Sequence, residues 1–164
     1  AIDAIYSYGH RNQQGMTRHP QTGEIWLTEH GPQGGDEINI VKKGGNYGWP
    51  VVTYGINYDG TPITEQTTGP EFVDPIYYWI PSIAPSGMVF VTSSNYPDLE
   101  GDLLVGSLKF QYLEHLTLEG KEVVKREKLL ENIGRVRDVA QGPEGAVFVS
   151  VEGTGIVKLT QQQQ

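Results

Sequence analysis

The sequence predicts an all-β protein built from a repeated unit of short strands. Three observations predict it. Helical periodicity is nearly absent along the 164 residues. Gly (21) and Pro (10) are frequent and charged residues make up only 20%, which suits many short strands joined by tight turns. A turn followed by an apolar strand also recurs, at His19–Thr28, Leu99–Gly106 and Gly142–Ser150. The step from Leu104 to Val147 is 43 residues, the size of one four-stranded propeller blade.

The elements follow in order. Ala1 to Ser7 reads as a strand already in progress. Glu24–Thr28 follows a turn at Gln21-Thr22-Gly23, and Glu37–Val41 alternates until it stops at Lys43-Gly44-Gly45. Gly87–Thr92 and Asp102–Gly106 flank a loop at Asn95-Tyr96-Pro97, and Tyr112–Leu118 alternates well. Lys121–Glu131 has no clean apolar stripe and follows a hairpin signal at Glu119-Gly120, so it reads as a strand. Val136–Ala140, Ala146–Val151 and Gly155–Leu159 finish the ordered chain. Each recurring unit is followed by a second strand, giving about three blades: roughly 6–50, 83–130 and 133–160, with an insertion at 51–82. The partial propeller thus covers residues 1–160, and Gln161 to Gln164 form a polar tail. Three blades should not close alone, since bare sheet faces and edges would remain. A self-contained β-sandwich has a similar strand count and stays open at this point.

Composition excludes several functions. A formal net charge of −8 repels phosphate backbones, so nucleic acid is a poor partner. No apolar run approaches a membrane span, no basic run suggests a membrane surface, and the chain has no Cys for disulfides or thiolate metal sites. There is no nucleophile elbow, P-loop or dinucleotide fingerprint.

Several stretches could carry chemistry. Arg11 and Asn12, in a loop, can clamp a carboxylate or carbonyl, or bond local backbone. The Thr28–Glu37 stretch (TEHGPQGGDE) combines Gly, Pro and three carboxylates. It can aim carbonyl oxygens at a hard cation, or be a plain polar connection. Gly44–Pro50 carries two large aromatics over a turn. Ser82, in an extended connector, could donate to a ligand. Lys109 follows a strand, as solvated surface lysines often do. Arg135 and Arg137, at i and i+2 on a strand, share one face, and such a like-charged pair calls for an anion or carboxylates.

Together the pieces YGHRNQQGM (8–16), GEIWLTEHGPQGGDEINIV (23–41), GGNYGWP (44–50), PSIAPSG (81–87), GDLLVGSLK (101–109) and RVRDV (135–139) resemble the soluble aldose sugar dehydrogenases, the glucose/sorbosone dehydrogenase family. The resemblance runs from about Tyr6 to Leu159 and matches that family's C-terminal half. It implies a six-bladed β-propeller holding pyrroloquinoline quinone (PQQ) and calcium. Arg11 and Asn12 would then contact the quinone, and the carbonyls of Gly31 and Pro32 would bind the calcium that polarises it. Ser82, Lys109, Arg135 and Arg137 would hold the cofactor's polar edges. Glu37, and Tyr47 through its backbone, would bind a second, structural calcium. The implied reaction takes hydride from the anomeric C1 of an aldose to PQQ, giving a lactone; the electron acceptor is unknown. The implied location is the periplasm or outside the cell.

The family's catalytic His base matches neither His10 nor His30, so no catalytic residue is expected in this chain and the base is expected upstream. The missing half, or a second copy, would close the propeller. The other possibility is a non-catalytic half-propeller that binds calcium, a ligand or a protein.

Overall fold

The structure, a computed structural model, describes residues 3–160. The expected polar tail lies outside them. The described residues form eleven strands and no helix, so none contributes a helix long and apolar enough to cross a membrane.

The first sheet pairs β1 (Gln13–Arg18), β2 (Ile25–Glu29), β3 (Asp36–Val41) and β4 (Tyr77–Trp79) in chain order. The second pairs β5 (Pro85–Phe90), β6 (Leu103–Ser107), β7 (Leu113–Glu119) and β8 (Glu122–Leu129). The third pairs β9 (Val136–Gln141), β10 (Val147–Val151) and β11 (Gly155–Lys158). All these pairings are antiparallel. The three recurring turn–strand units of the sequence become β2, β6 and β10, the second strand of each sheet.

The sheets stack face to face. One core joins Trp26, Ile38, Ile40 and Trp79 of the first sheet to Met88, Phe90, Leu103, Val105 and Leu116 of the second. The other joins Leu104 and Leu113 of the second to Val136, Val139, Val147, Val149 and Val151 of the third. Strand β6 therefore buries side chains on both faces, Leu103 and Val105 toward one neighbour and Leu104 toward the other. Burying each such side chain stabilises the fold by roughly 1.5–3 kcal/mol.

The first strands lie side by side, β1 against β5 and β5 against β9. Each carries a bulge at the same level: between Gln13 and Met16, between Pro85 and Met88, and at Arg137, the extra residue between Val136 and Asp138. A bulge bends the strand and re-aims its side chains. Glycine makes the close approach possible. A Cβ on Gly87 would sit 1.7 Å from an Asp138 carboxylate oxygen, and one on Gly15 would sit 2.4 Å from the Ser86 carbonyl.

Two expectations are corrected, and one strand lacked a sequence signal. Residues 3–7 are turn and coil, not a strand. The segment is tied instead to the glycine turn, with the Gly44 N–H donating to Tyr6 C=O (2.7 Å) and Tyr8 N–H to Gly45 C=O (3.0 Å). Strand β1 was not expected, because QQGMTR lacks apolar alternation and largely faces away from the core. Residues 51–82 are not wholly an insertion, since Tyr77–Trp79 return as the fourth strand of the first sheet.

Gly87→Ala is expected to lower stability by about 1–3 kcal/mol through overpacking against Asp138. Ser94→Ala, at an exposed loop position, leaves that contact untouched. Urea unfolding midpoints compare them; a Gly87→Ala protein as stable as the parent would contradict the close approach of β5 and β9.

Candidate functional site

In an antiparallel sheet, the start of the first strand and the end of the second lie at the same end. Arg11 and Asn12 precede β1, Ser82 precedes β5 and Arg135 precedes β9. Gly31 and Pro32 follow β2, and Lys109 follows β6. Topology alone therefore brings these residues to one face of the molecule.

A cavity of about 710 Å³ opens on that face. Arg11, Asn12, Gly31, Pro32, Ser82 and Lys109 line it. The Arg11 guanidinium lies 5.2 Å from the Trp49 ring centre and donates to the His30 carbonyl at 3.0 Å. The Lys109 ammonium lies 5.1 Å from the Phe110 ring and takes part in no ion pair among the described residues. An acidic chain thus places two cations without carboxylate partners in one cavity.

The cavity is held by Asp36, which is 1% exposed. One carboxylate oxygen accepts from the Gly31 N–H (2.9 Å) and the Ser82 hydroxyl (2.9 Å), and the other from the Ala84 N–H (2.8 Å). One buried charge thereby joins the β2–β3 loop to the connector before β5. The His30–Gly31 peptide is gripped at both ends, by Asp36 on its N–H and by Arg11 on its C=O. His30 is fixed further by its N–H to the Asn12 carbonyl (2.9 Å) and by its Nε2–H to the Pro85 carbonyl (2.7 Å). Gly31 is required here, because a Cβ would lie 2.2 Å from the Gly35 carbonyl oxygen. Neither the Gly31 nor the Pro32 carbonyl accepts a hydrogen bond among the described residues.

Glu37 and Tyr47 lie behind this cavity, around a void of about 20 Å³ that Glu29 also lines. That volume suits one water-sized occupant. The Asn39 amide nitrogen donates to Glu29 (2.8 Å) and Glu37 (3.1 Å), leaving its buried Oδ1 without a partner. Burial pushes the Glu37 carboxyl up to about 7; the Asn39 bond opposes this, and Glu29, Asp36 and Asp74 add to it by repulsion. The Tyr47 hydroxyl is consumed by the Ile40 carbonyl (2.6 Å) and the Lys42 N–H (2.8 Å). Glu29 also accepts from the Arg11 N–H at 2.7 Å and lies 3.0 Å from His10, which stacks on Tyr47. Among the described residues no three His, Asp or Glu converge as a metal cage, so a cation here needs carbonyl ligands as well.

Arg135 and Arg137 do not line the large cavity. Both pair with Glu152, Arg135 at 3.3 Å, which supplies the carboxylate that their shared face calls for. Arg137 borders a separate groove beside Gln14, Ser86 and Asp138, where the bulged first strands meet. The sequence did not single out Asp36 as a brace, nor Ile56, Tyr58 and Ile80 as lining. The run of Gly, Pro and carboxylates marked the loop without showing which carboxylate turns inward.

The architecture and site define a part-propeller with a cation-lined cavity beside a carboxylate pair. A family model described as Glucose / Sorbosone dehydrogenase matches residues 1–158, and the chain belongs to that family. It is 45% identical over 150 residues to the aldose sugar dehydrogenase of Escherichia coli, aligning 88% of this chain and 40% of the relative. A solved glucose dehydrogenase superposes with a TM-score of 0.92 at 41% identity, covering 96% of this chain and 47% of the other. The PQQ-bound aldose sugar dehydrogenase of Streptomyces coelicolor superposes with a TM-score of 0.70 at 27% identity, covering 94% and 44%. The chain therefore spans less than half the length of these proteins.

Asp36→Ala is expected to cost about 3 kcal/mol, since three donors lose one buried acceptor; urea unfolding checks it. In metal-free protein, Glu37 has a second signature. Its folded pKa is raised above its unfolded value of 4.5, so its contribution is fully present below pH 4.5 and is lost as pH rises through about 7. Replacing it in Glu37→Gln should flatten the fall in stability across that window. An unchanged pH profile would show that Glu37 is not the group being discharged by burial.

Proposed function

We propose that this chain forms the cofactor-binding part of a sugar-oxidising quinoprotein, with PQQ and calcium in the cavity at the loop face. The observation that carries this reading is the pair of cations, Arg11 and Lys109, whose side chains form no ion pair among the described residues and which line one cavity in a chain of net charge −8. PQQ carries three carboxylates and an ortho-quinone, which suits that lining.

The residues fit both groups. Arg11, Asn12, Ser82 and Lys109 would hold the cofactor, and the Gly31 and Pro32 carbonyls offer oxygen to calcium. Glu37 and the Tyr47 carbonyl would take a second calcium in the small void, where a cation would also favour ionised Glu37. When bound, PQQ supplies a hydride acceptor and calcium a Lewis acid, and an aldose would yield its lactone. The chain's own part is electrostatic and positional. Asp36 fixes the loop without moving, and Arg11 and Lys109 stabilise negative charge that grows in the cavity during turnover. Arg135 and Arg137 would reach the cofactor only by rotating away from Glu152. The general base would come from outside this chain, from the blades that close the propeller.

Titrating PQQ into the chain with calcium, followed by cofactor absorbance, tests the reading. Arg11→Ala and Lys109→Ala should each weaken binding tenfold or more, while Lys125→Ala, whose partner is the exposed Glu127, should not. Sugar-dependent dye reduction should appear when the remaining blades are supplied. Equal binding by all three variants would defeat the assignment of the cavity.

A further inference from the structure

Both cations of the cavity are held by a ring in place of an acid. The Arg11 guanidinium lies 5.2 Å from the Trp49 ring centre, and the Lys109 ammonium lies 5.1 Å from that of Phe110. Glu29, the acid beside Arg11, is spent on the Arg11 backbone N–H (2.7 Å), the Asn39 amide (2.8 Å) and His10 (3.0 Å). Arg126 shows the other arrangement: it also has a ring, Tyr77 at 5.9 Å, yet Glu114 takes its charge. Arg135 and Arg137 are likewise held by Glu152. None of these three arginines lines the cavity.

The two rings are themselves fixed. The Trp49 N–H donates to the Gly9 carbonyl (2.8 Å) and the Tyr47 N–H to the Tyr8 carbonyl (2.9 Å). These bonds lace the Gly44–Pro50 turn to the segment that leads directly into Arg11. Phe110 is anchored by its N–H to the Ser107 hydroxyl (3.1 Å), which donates in turn to the Ile83 carbonyl (2.8 Å). Its ring is parallel to that of Tyr112 within 2°, with centres 6.3 Å apart. A carboxylate would also fix a cation, but an incoming anion would then have to compete with it. A ring face attracts through its quadrupole and carries no net charge. It covers one face of a guanidinium and leaves the edge donors to recognise a carboxylate.

We propose that Trp49 and Phe110 are positioning residues of the cavity, acting through Arg11 and Lys109. Each ring holds its cation in place while leaving the full charge available to an anionic ligand. This rests on the reading of the cavity as a PQQ site.

The test follows PQQ binding by cofactor absorbance in the calcium-loaded protein with its propeller closed. Trp49→Leu should weaken binding about three- to fivefold, the scale of one cation–π contact, and Trp49→Phe should regain most of that loss. Phe110→Leu should act likewise through Lys109, and Phe110→Tyr should match the parent. Phe110 is 42% exposed, so its substitution spares the fold. In an Arg11→Ala background, Trp49→Leu should add no further loss, whereas losses that simply add would show a packing role and overturn the proposal. A second readout needs no cofactor: ring-current shifts should move the Arg11 side-chain protons upfield in NMR spectra, and Trp49→Leu should abolish this. Unshifted Arg11 protons in the parent, or unchanged PQQ affinity in both Leu variants, overturn the proposal while PQQ binding stands. Failure of the parent to bind PQQ overturns the underlying functional reading and this proposal with it, even where the Arg11 shift is present.

Discussion

The buried Asp36 carboxylate is the joint on which the loop face depends. Three short bonds bring together a loop from the first sheet and a connector that enters the second. A carboxylate this deep is tolerated only because donors surround it; without them its desolvation would be severe. The same bonds grip the peptide whose carbonyl holds Arg11. Arg11 is thus positioned through a peptide held by a negative charge that is itself spent on backbone and hydroxyl donors. Asp36 consequently leaves the cavity receptive to anions.

Behind that joint stands the stacking of sheets. Two cores, one on each side of the second sheet, fix the three first strands at close range. Their bulges lie at one level, and the loop face lies at the same end of every sheet. Position in the repeat, rather than closeness in sequence, gathers Arg11, Gly31, Ser82 and Lys109 from segments nearly 100 residues apart. It also explains why Arg135 and Arg137 stand apart, since the third sheet has its own acid, Glu152, in the equivalent β10–β11 loop.

Much of the fold was legible because the second strands carry strong apolar cores behind clear turn signals: Trp26 and Leu27, Leu103 to Val105, Val147 and Val149. What was illegible has physical causes. Strand β1 is polar because it is a first strand with little core contact, and β4 is three residues long. Residues 3–7 bond to a turn rather than to a strand. For the site, the residue types in the glycine-rich loop announced an oxygen-lined pocket. They could not show that Asp36 turns inward as a brace while Glu37, its neighbour on the other strand face, lies beside the void. Nor could spacing show that Glu152 would take both arginines. Tyr58 gave no signal, because a tyrosine in a long loop looks alike whether it packs or projects.

The position of the cofactor on the loop face is the most direct test. A crystal structure of the protein grown with PQQ and calcium should show the cofactor's carboxylates at Arg11 and Lys109 and a metal ion on the Gly31 and Pro32 carbonyls, with Asp36 unmoved. PQQ bound elsewhere, or a cavity filled by protein side chains once the propeller is closed, would contradict it.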